Sequence, residues 1–223
     1  MIVFDLDGTL IDSARDLTDA ASELVQGYGA EPLGEDAVVG MVGEGARILV
    51  QRALAHAGLD PALPGALERF MAIYDRRLLN HTAAYEGVHD VLAMLVQAGP
   101  LAVLTNKPAA PAEQLLEALG LRGYFSEVLG GDGVLPRKPD PAALRALAAS
   151  AAGPVVMVGD SPIDAAAAEA AGCPFVLAAY GFGAAKFGGH APPGARVVHH
   201  PRELASLADT RTFDAARMPI VMR

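Results

Sequence analysis

The spacing of apolar and polar residues changes rhythm twice along the chain. Ile2, Val3 and Phe4 form a short β-branched and aromatic run with acidic residues directly behind it. This reads as a buried parallel strand ending in a charged loop. From Ser13 the spacing is helical: Leu17, Ala20, Ala21, Leu24, Val25 and Tyr28 lie on one face, with Arg15, Asp16, Asp19, Glu23 and Gln26 on the other. Ser13 followed three residues on by Asp16 comes close to an N-terminal capping signal. After a breaker at residues 27–32, a helical piece begins at Glu35. A second helix continues through Ile48, Leu49, Ala53 and Leu54, and a third carries Leu67, Phe70, Met71, Tyr74 and Leu78. No strand is predicted from Ser13 to about His81.

Beyond Tyr85-Glu86-Gly87 strands and helices alternate, as in a parallel sheet covered on both faces. Strands are predicted at 101–105, 127–129, 155–158, 175–177 and 196–198. Val88, Val91, Leu92, Leu95 and Val96 mark a helix stopped by Gly99-Pro100, and Leu115, Leu116 and Leu119 mark one ended by Gly120. Asp140-Pro141 reads as an N-cap and first-turn proline, and Ser161-Pro162 opens an Ala-rich helix. The predicted fold is therefore α/β: a Rossmann-like core of residues 1–13 and 85–223, with an all-helical domain inserted at 14–84 and hinges near 12–15 and 80–87. The Gly-rich stretch at 181–189 follows neither phosphate-loop nor dinucleotide spacing and reads as a surface loop. The tail after Asp209 carries no clear signal.

With 223 residues, 52% of them hydrophobic but only 5% aromatic and none Trp, the core must be built from Ala, Leu and Val. A net charge of −9 and a pI near 5.0 argue against a nucleic-acid partner. Cys173 is the single cysteine, which rules out an intramolecular disulfide. No basic leader precedes Ile2 and no apolar stretch is long enough for a bilayer, so a cytoplasmic protein without membrane contact is expected. The six histidines are scattered without ligand spacing and read as surface or loop residues, with no sign of zinc.

The chemistry starts at Asp5-Leu6-Asp7-Gly8. Strand alternation points Asp5 and Asp7 the same way, and two carboxylates so close need a cation or a shared proton. Alone, the four residues could equally be a turn. Three further blocks follow predicted strands and fall on the same rim, where ligands bind in open parallel sheets. They are Thr105-Asn106-Lys107, Arg137-Lys138-Pro139-Asp140 and Gly159-Asp160-Ser161-Pro162-Ile163-Asp164. Thr105 and Ser161 could each be helix caps and Lys138 a solvated lysine. Together the blocks offer carboxylates, a nucleophile, a hydroxyl and a cation, the set that phosphoryl transfer requires. Four carboxylates with few other ligands suit Mg²⁺.

In order and setting, the blocks resemble those of the haloacid dehalogenase-like hydrolase superfamily. That resemblance implies Asp5 as the nucleophile that becomes an aspartyl phosphate and Asp7 as the general acid/base. It implies Thr105 and Lys138 on the phosphoryl oxygens, with Asn106 assisting. The implied Mg²⁺ shell is Asp5, the Asp7 carbonyl, Asp160 and Asp164. Asp7 points to phosphate esters rather than haloacids, and Thr9 to hydrolysis rather than phosphoryl mutation. Residues 7–13, Gly43-Glu44-Gly45-Ala46-Arg47 and Thr105-Asn106-Lys107 resemble phosphoglycolate phosphatases and their near relatives. In that setting Gly43, Gly45 and Arg47 form a loop that reads the substrate, although Arg47 could equally be a solvated helix residue. The expected partner is a small phosphorylated metabolite, with 2-phosphoglycolate as the leading candidate and the chain a monomer or homodimer. Alternatives are a phosphosugar phosphatase or phosphomutase, a pyrophosphatase, or a non-enzymatic phospho-acceptor module.

Overall fold

The computed structural model describes residues 1–209. In chain order its elements are β1 (Ile2–Phe4), β2 (Ile11–Asp12), α1 (Ala14–Gln26), α2 (Glu35–Met41), α3 (Ala46–His56), α4 (Ala66–Arg77), β3 (Ala83–Ala84), α5 (Val88–Ala98), β4 (Leu101–Leu104), α6 (Ala109–Ala118), β5 (Glu127–Leu129), α7 (Ala142–Ser150), β6 (Val156–Gly159), α8 (Pro162–Ala171), β7 (Phe175–Ala178) and β8 (Arg196–Val198). Short 3₁₀ segments cover Arg122–Tyr124, Phe182–Phe187 and Pro201–Ala208. The tail beyond residue 209 lies outside the described residues. Among these, no helix is long and apolar enough to cross a membrane.

The fold is α/β. Six parallel strands pair in the order β5-β4-β1-β6-β7-β8. The chain leaves β1, which sits inside the sheet, to build first one side and then the other, so β1 and its neighbours β4 and β6 border a topological switch point. Side-chain alternation explains the double burial. Ile2 and Phe4 face one apolar cluster with α1, α5 and α6, and Val3 faces another with α7 and α8.

The helices α1–α4 between β2 and β3 pack on one another, and their apolar stripes join the first of these clusters through Leu10, Ile11 and Leu17. The links at 12–15 and 80–87 are more ordered than bare hinges. Ile11 pairs with Ala84 and Asp12 with Ala83 in a two-stranded antiparallel ribbon too short to show as a periodic pattern.

Ser13 and Asp16 do not form the expected cap. Ser13 makes no side-chain cap bond and donates instead to Asp7. Asp12 accepts from the Ala14 N–H at 3.1 Å. Asp16, fully buried, accepts from the backbone N–H groups of His81 and Thr82 and from the Thr82 hydroxyl, fastening α1 to the returning link. At α7 the cap position is taken by Pro141, while Asp140 accepts from the Ala142 N–H at 2.8 Å. The histidines stand away from the core, five exposed and His200 half-buried.

Candidate active site

β1 delivers two carboxylates to the rim of the sheet. Gly8 then turns the chain with φ of +87°, and a Cβ there would lie 1.9 Å from an Asp160 oxygen. Glycine is needed at that position both for its backbone conformation and for its lack of a side chain.

Asp5, Asp160 and Asp164, all buried, can each present a carboxylate oxygen within 4.8 Å of the others. Lys138, arriving from the segment after β5, places its ammonium 2.8 Å from Asp5 and 2.6 Å from Asp164. Asp164 has a double task. One oxygen meets Lys138, and the other accepts from the Ser161 N–H and hydroxyl in a capping box that opens α8. Ser161 is thus a helix cap that also aims Asp164.

One ammonium cannot balance three buried carboxylates. Burial, then Asp164, push Asp5 up to about 7 against the pull of Lys138. Burial, then Asp164 and Asp5, raise Asp160 well above the usual carboxylate range. For Lys138, burial acts to lower the pKa, but Asp164 and Asp5 outweigh it and hold the ammonium above its ordinary value.

Asp7 belongs to a second group. Its Oδ1 accepts from the Ser13 hydroxyl at 2.5 Å, and the Lys107 ammonium lies 2.9 and 3.1 Å from its two oxygens. Lys107 also donates to the Tyr74 hydroxyl at 2.8 Å and stands 4.7 Å from the centre of that ring. Burial pushes the Tyr74 phenol up to about 12. The motif blocks contain Lys107 and Ser13 but assign neither a role, and Tyr74 lies in none of them. Tyr74 falls on a helical apolar stripe and looks like core, and only the crossing of α4 over the rim brings its hydroxyl to a lysine 33 residues away.

Thr105 is buried at the end of β4, its hydroxyl accepting from the Lys107 N–H at 3.1 Å. Asn106 donates both amide protons to backbone carbonyls, of Gly43 and of Lys138, each at 2.8 Å. Its side chain therefore braces the Gly43–Gly45 loop against the Lys138 segment, and no amide proton is left for a phosphate.

Gly43 and Gly45 line the cavity over Asp5 and Asp7 together with Thr105. Arg47, the second residue of α3, is exposed and does not line it.

The stretch at 181–189, expected as a surface loop, is instead a wall of the site. The Gly183 N–H donates to Asp160 at 2.7 Å, and a Cβ on Gly181 would stand 2.0 Å from the Gly8 carbonyl oxygen. The glycines serve close packing here, which no phosphate-loop spacing would reveal.

A model of the family described as haloacid dehalogenase-like hydrolase matches residues 2–178. A phosphoglycolate phosphatase of Rhodospirillum rubrum is 46% identical over 192 residues, spanning 81% of this chain and 80% of its own length. One from Photobacterium profundum is 42% identical over 191 residues, 81% of this chain and 83% of its own. Among solved structures, that of a protein from Haemophilus somnus described as a predicted phosphoglycolate phosphatase superposes with a TM-score of 0.82. It is 29% identical and covers 93% of this chain and 96% of its own.

Proposed function

The chain belongs to the haloacid dehalogenase-like hydrolases and is a phosphoric monoester hydrolase, and on that premise we propose that it cleaves a small phosphorylated metabolite, 2-phosphoglycolate first among candidates, through an aspartyl phosphate on Asp5. The observation that carries this reading is the meeting of Asp5, Asp160, Asp164 and Lys138 at one end of β1, with Asp7 directed into the same cavity.

In the first step an Asp5 oxygen bonds to phosphorus as the bond to the leaving oxygen breaks. The electron pair goes to the leaving oxygen, which takes a proton from the Asp7 carboxyl group. In the second, Asp7 takes a proton from water, whose oxygen attacks phosphorus and frees Asp5 and inorganic phosphate. Thr105 and Lys138 hold the transferring oxygens, and the apolar cavity keeps stray water from the intermediate.

The residues fit a divalent cation. The donors are hard oxygens, and the raised pKa values of Asp5 and Asp160 mark a local shortage of positive charge. Asp5, Asp160 and the Asp7 carbonyl would hold Mg²⁺. Asp164, whose oxygens already face Lys138 and Ser161, would support it from behind. Bound there, the ion would supply positive charge to offset that of the phosphoryl group. The helices between 14 and 84 act as the cap over this chemistry.

A panel of phosphoglycolate, hexose phosphates, nucleotides and pyrophosphate, assayed with Mg²⁺ and ranked by kcat/KM, tests the substrate. Asp5→Asn in the same panel tests the nucleophile. Near-normal turnover by that variant would remove Asp5 from the role, and a preference for pyrophosphate or a hexose phosphate would replace the substrate.

A further inference from the structure

We propose that Lys186, in the glycine-rich wall, binds the carboxylate of the substrate and so selects short phosphate esters that carry a second anionic group. The inference rests on the phosphatase reading above and deepens it.

Lys186 lines the cavity that holds Asp5, Asp7 and Thr105. It belongs to the 3₁₀ segment Phe182–Phe187, whose Gly183 is fastened to Asp160. Its position is therefore tied to the reacting groups rather than to the loose end of a loop.

The other nearby cations are engaged. Lys138 is paired with Asp5 and Asp164, and Lys107 with Asp7. Arg52 is paired with Glu44, and Arg137 donates to the Gly131 carbonyl at 2.5 Å. Arg47 is exposed and is not among the residues lining the cavity.

Lys186 donates to the Val42 carbonyl at 2.5 Å and, among the described residues, forms no ion pair. An ammonium has three protons to donate, so two remain for a ligand. Burial is the chief influence on its pKa and lowers it, the mark of a cation with less anionic compensation than Lys107 or Lys138 enjoys.

Lys186 is itself exposed, so its ammonium is reachable from solvent, and it shares the cavity lining with Val42, Leu49 and Phe70; a carboxylate bound to it would make a charge-assisted hydrogen bond. A carboxylate bound there would also meet the cap loop through the shared ammonium. Substrate recognition and the seating of Val42 would then act through one side chain.

The test compares 2-phosphoglycolate with ethyl phosphate, which has the same carbon count and no carboxylate, for the wild type, Lys186→Met, Lys186→Arg and Arg47→Ala. Lys186→Met is expected to lower kcat/KM on phosphoglycolate by roughly 10- to 100-fold, the value of a charged hydrogen bond, and to alter ethyl phosphate hydrolysis far less. Lys186→Arg should recover part of the difference, and Arg47→Ala should leave the ratio of the two substrates unchanged. Loosening of the Val42 contact alone would depress both substrates equally, so equal losses for Lys186→Met, or a ratio that follows Arg47 instead, would overturn the assignment. Failure of the folded wild type to hydrolyse any phosphate monoester would overturn the underlying phosphatase reading as well.

Discussion

Lys107 bridges both oxygens of the Asp7 carboxylate, at 2.9 and 3.1 Å, while donating to the hydroxyl of Tyr74 from the helical segment. The carboxylate cannot rotate without breaking these contacts, and one end of the arrangement belongs to α4. Lys107→Met is expected to lower kcat roughly 10- to 100-fold with little change in KM, because it frees the orientation of Asp7 without touching phosphate binding. Tyr74→Phe keeps the ring and should cost less, under about tenfold. Steady-state kinetics separate the cases: a rise in KM alone for Lys107→Met would move the lysine onto the substrate.

The metal-free protein should lose stability as pH rises. Asp5 has its folded pKa raised from 3.8 to about 7, so between these values the folded state binds more protons than the unfolded one. The slope of stability with pH is then negative across that window. Asp160 is shifted in the same direction. Melting temperatures measured in chelator from pH 5 to pH 8 should fall through this range, and added Mg²⁺ should stabilise most at the upper end, where the carboxylates are ionised. A flat profile in chelator, unchanged by Mg²⁺, would argue against carboxylates short of positive charge.

Asp16 is a structural rather than chemical carboxylate. It is fully buried and accepts from two backbone N–H groups and a hydroxyl of the link at 81–82. Asp16→Ala leaves those donors buried without acceptors and is expected to destabilise the fold by about 2–4 kcal/mol. Denaturant unfolding measures the loss; a change below ~0.5 kcal/mol would mean that the link rearranges freely.

Gly181→Ala inserts a methyl group where the Gly8 carbonyl oxygen lies 2.0 Å away. The turn after Asp7 and the Asp160 carboxylate must both shift. Activity should fall by at least roughly tenfold, and the Mg²⁺ concentration giving half-maximal rate should rise, since catalytic geometry tolerates displacements well below 1 Å. Activity equal to wild type would show that the wall has slack.

The amino-acid sequence by itself determined the alternation of strands and helices and the rim on which its four motif blocks fall. Apolar periodicity is local, and a carboxylate directly after a buried strand has few places to go. It also exposed the inserted helices, since a run of helical apolar spacing from Ser13 to about His81 cannot continue a parallel sheet.

Tertiary structure alone decided the partners of each charge. Whether Lys107 faces Asp7, whether Asn106 braces Gly43, and whether a glycine-rich stretch walls the site depend on contacts between residues 100, 63 and 23 positions apart. Spacing along one chain carries no record of such contacts. Ser13 and Asp16 make the point locally: both have the chemistry of a helix cap, but a buried carboxylate and a pair of unsatisfied backbone donors offered stronger hydrogen bonds than the helix end did.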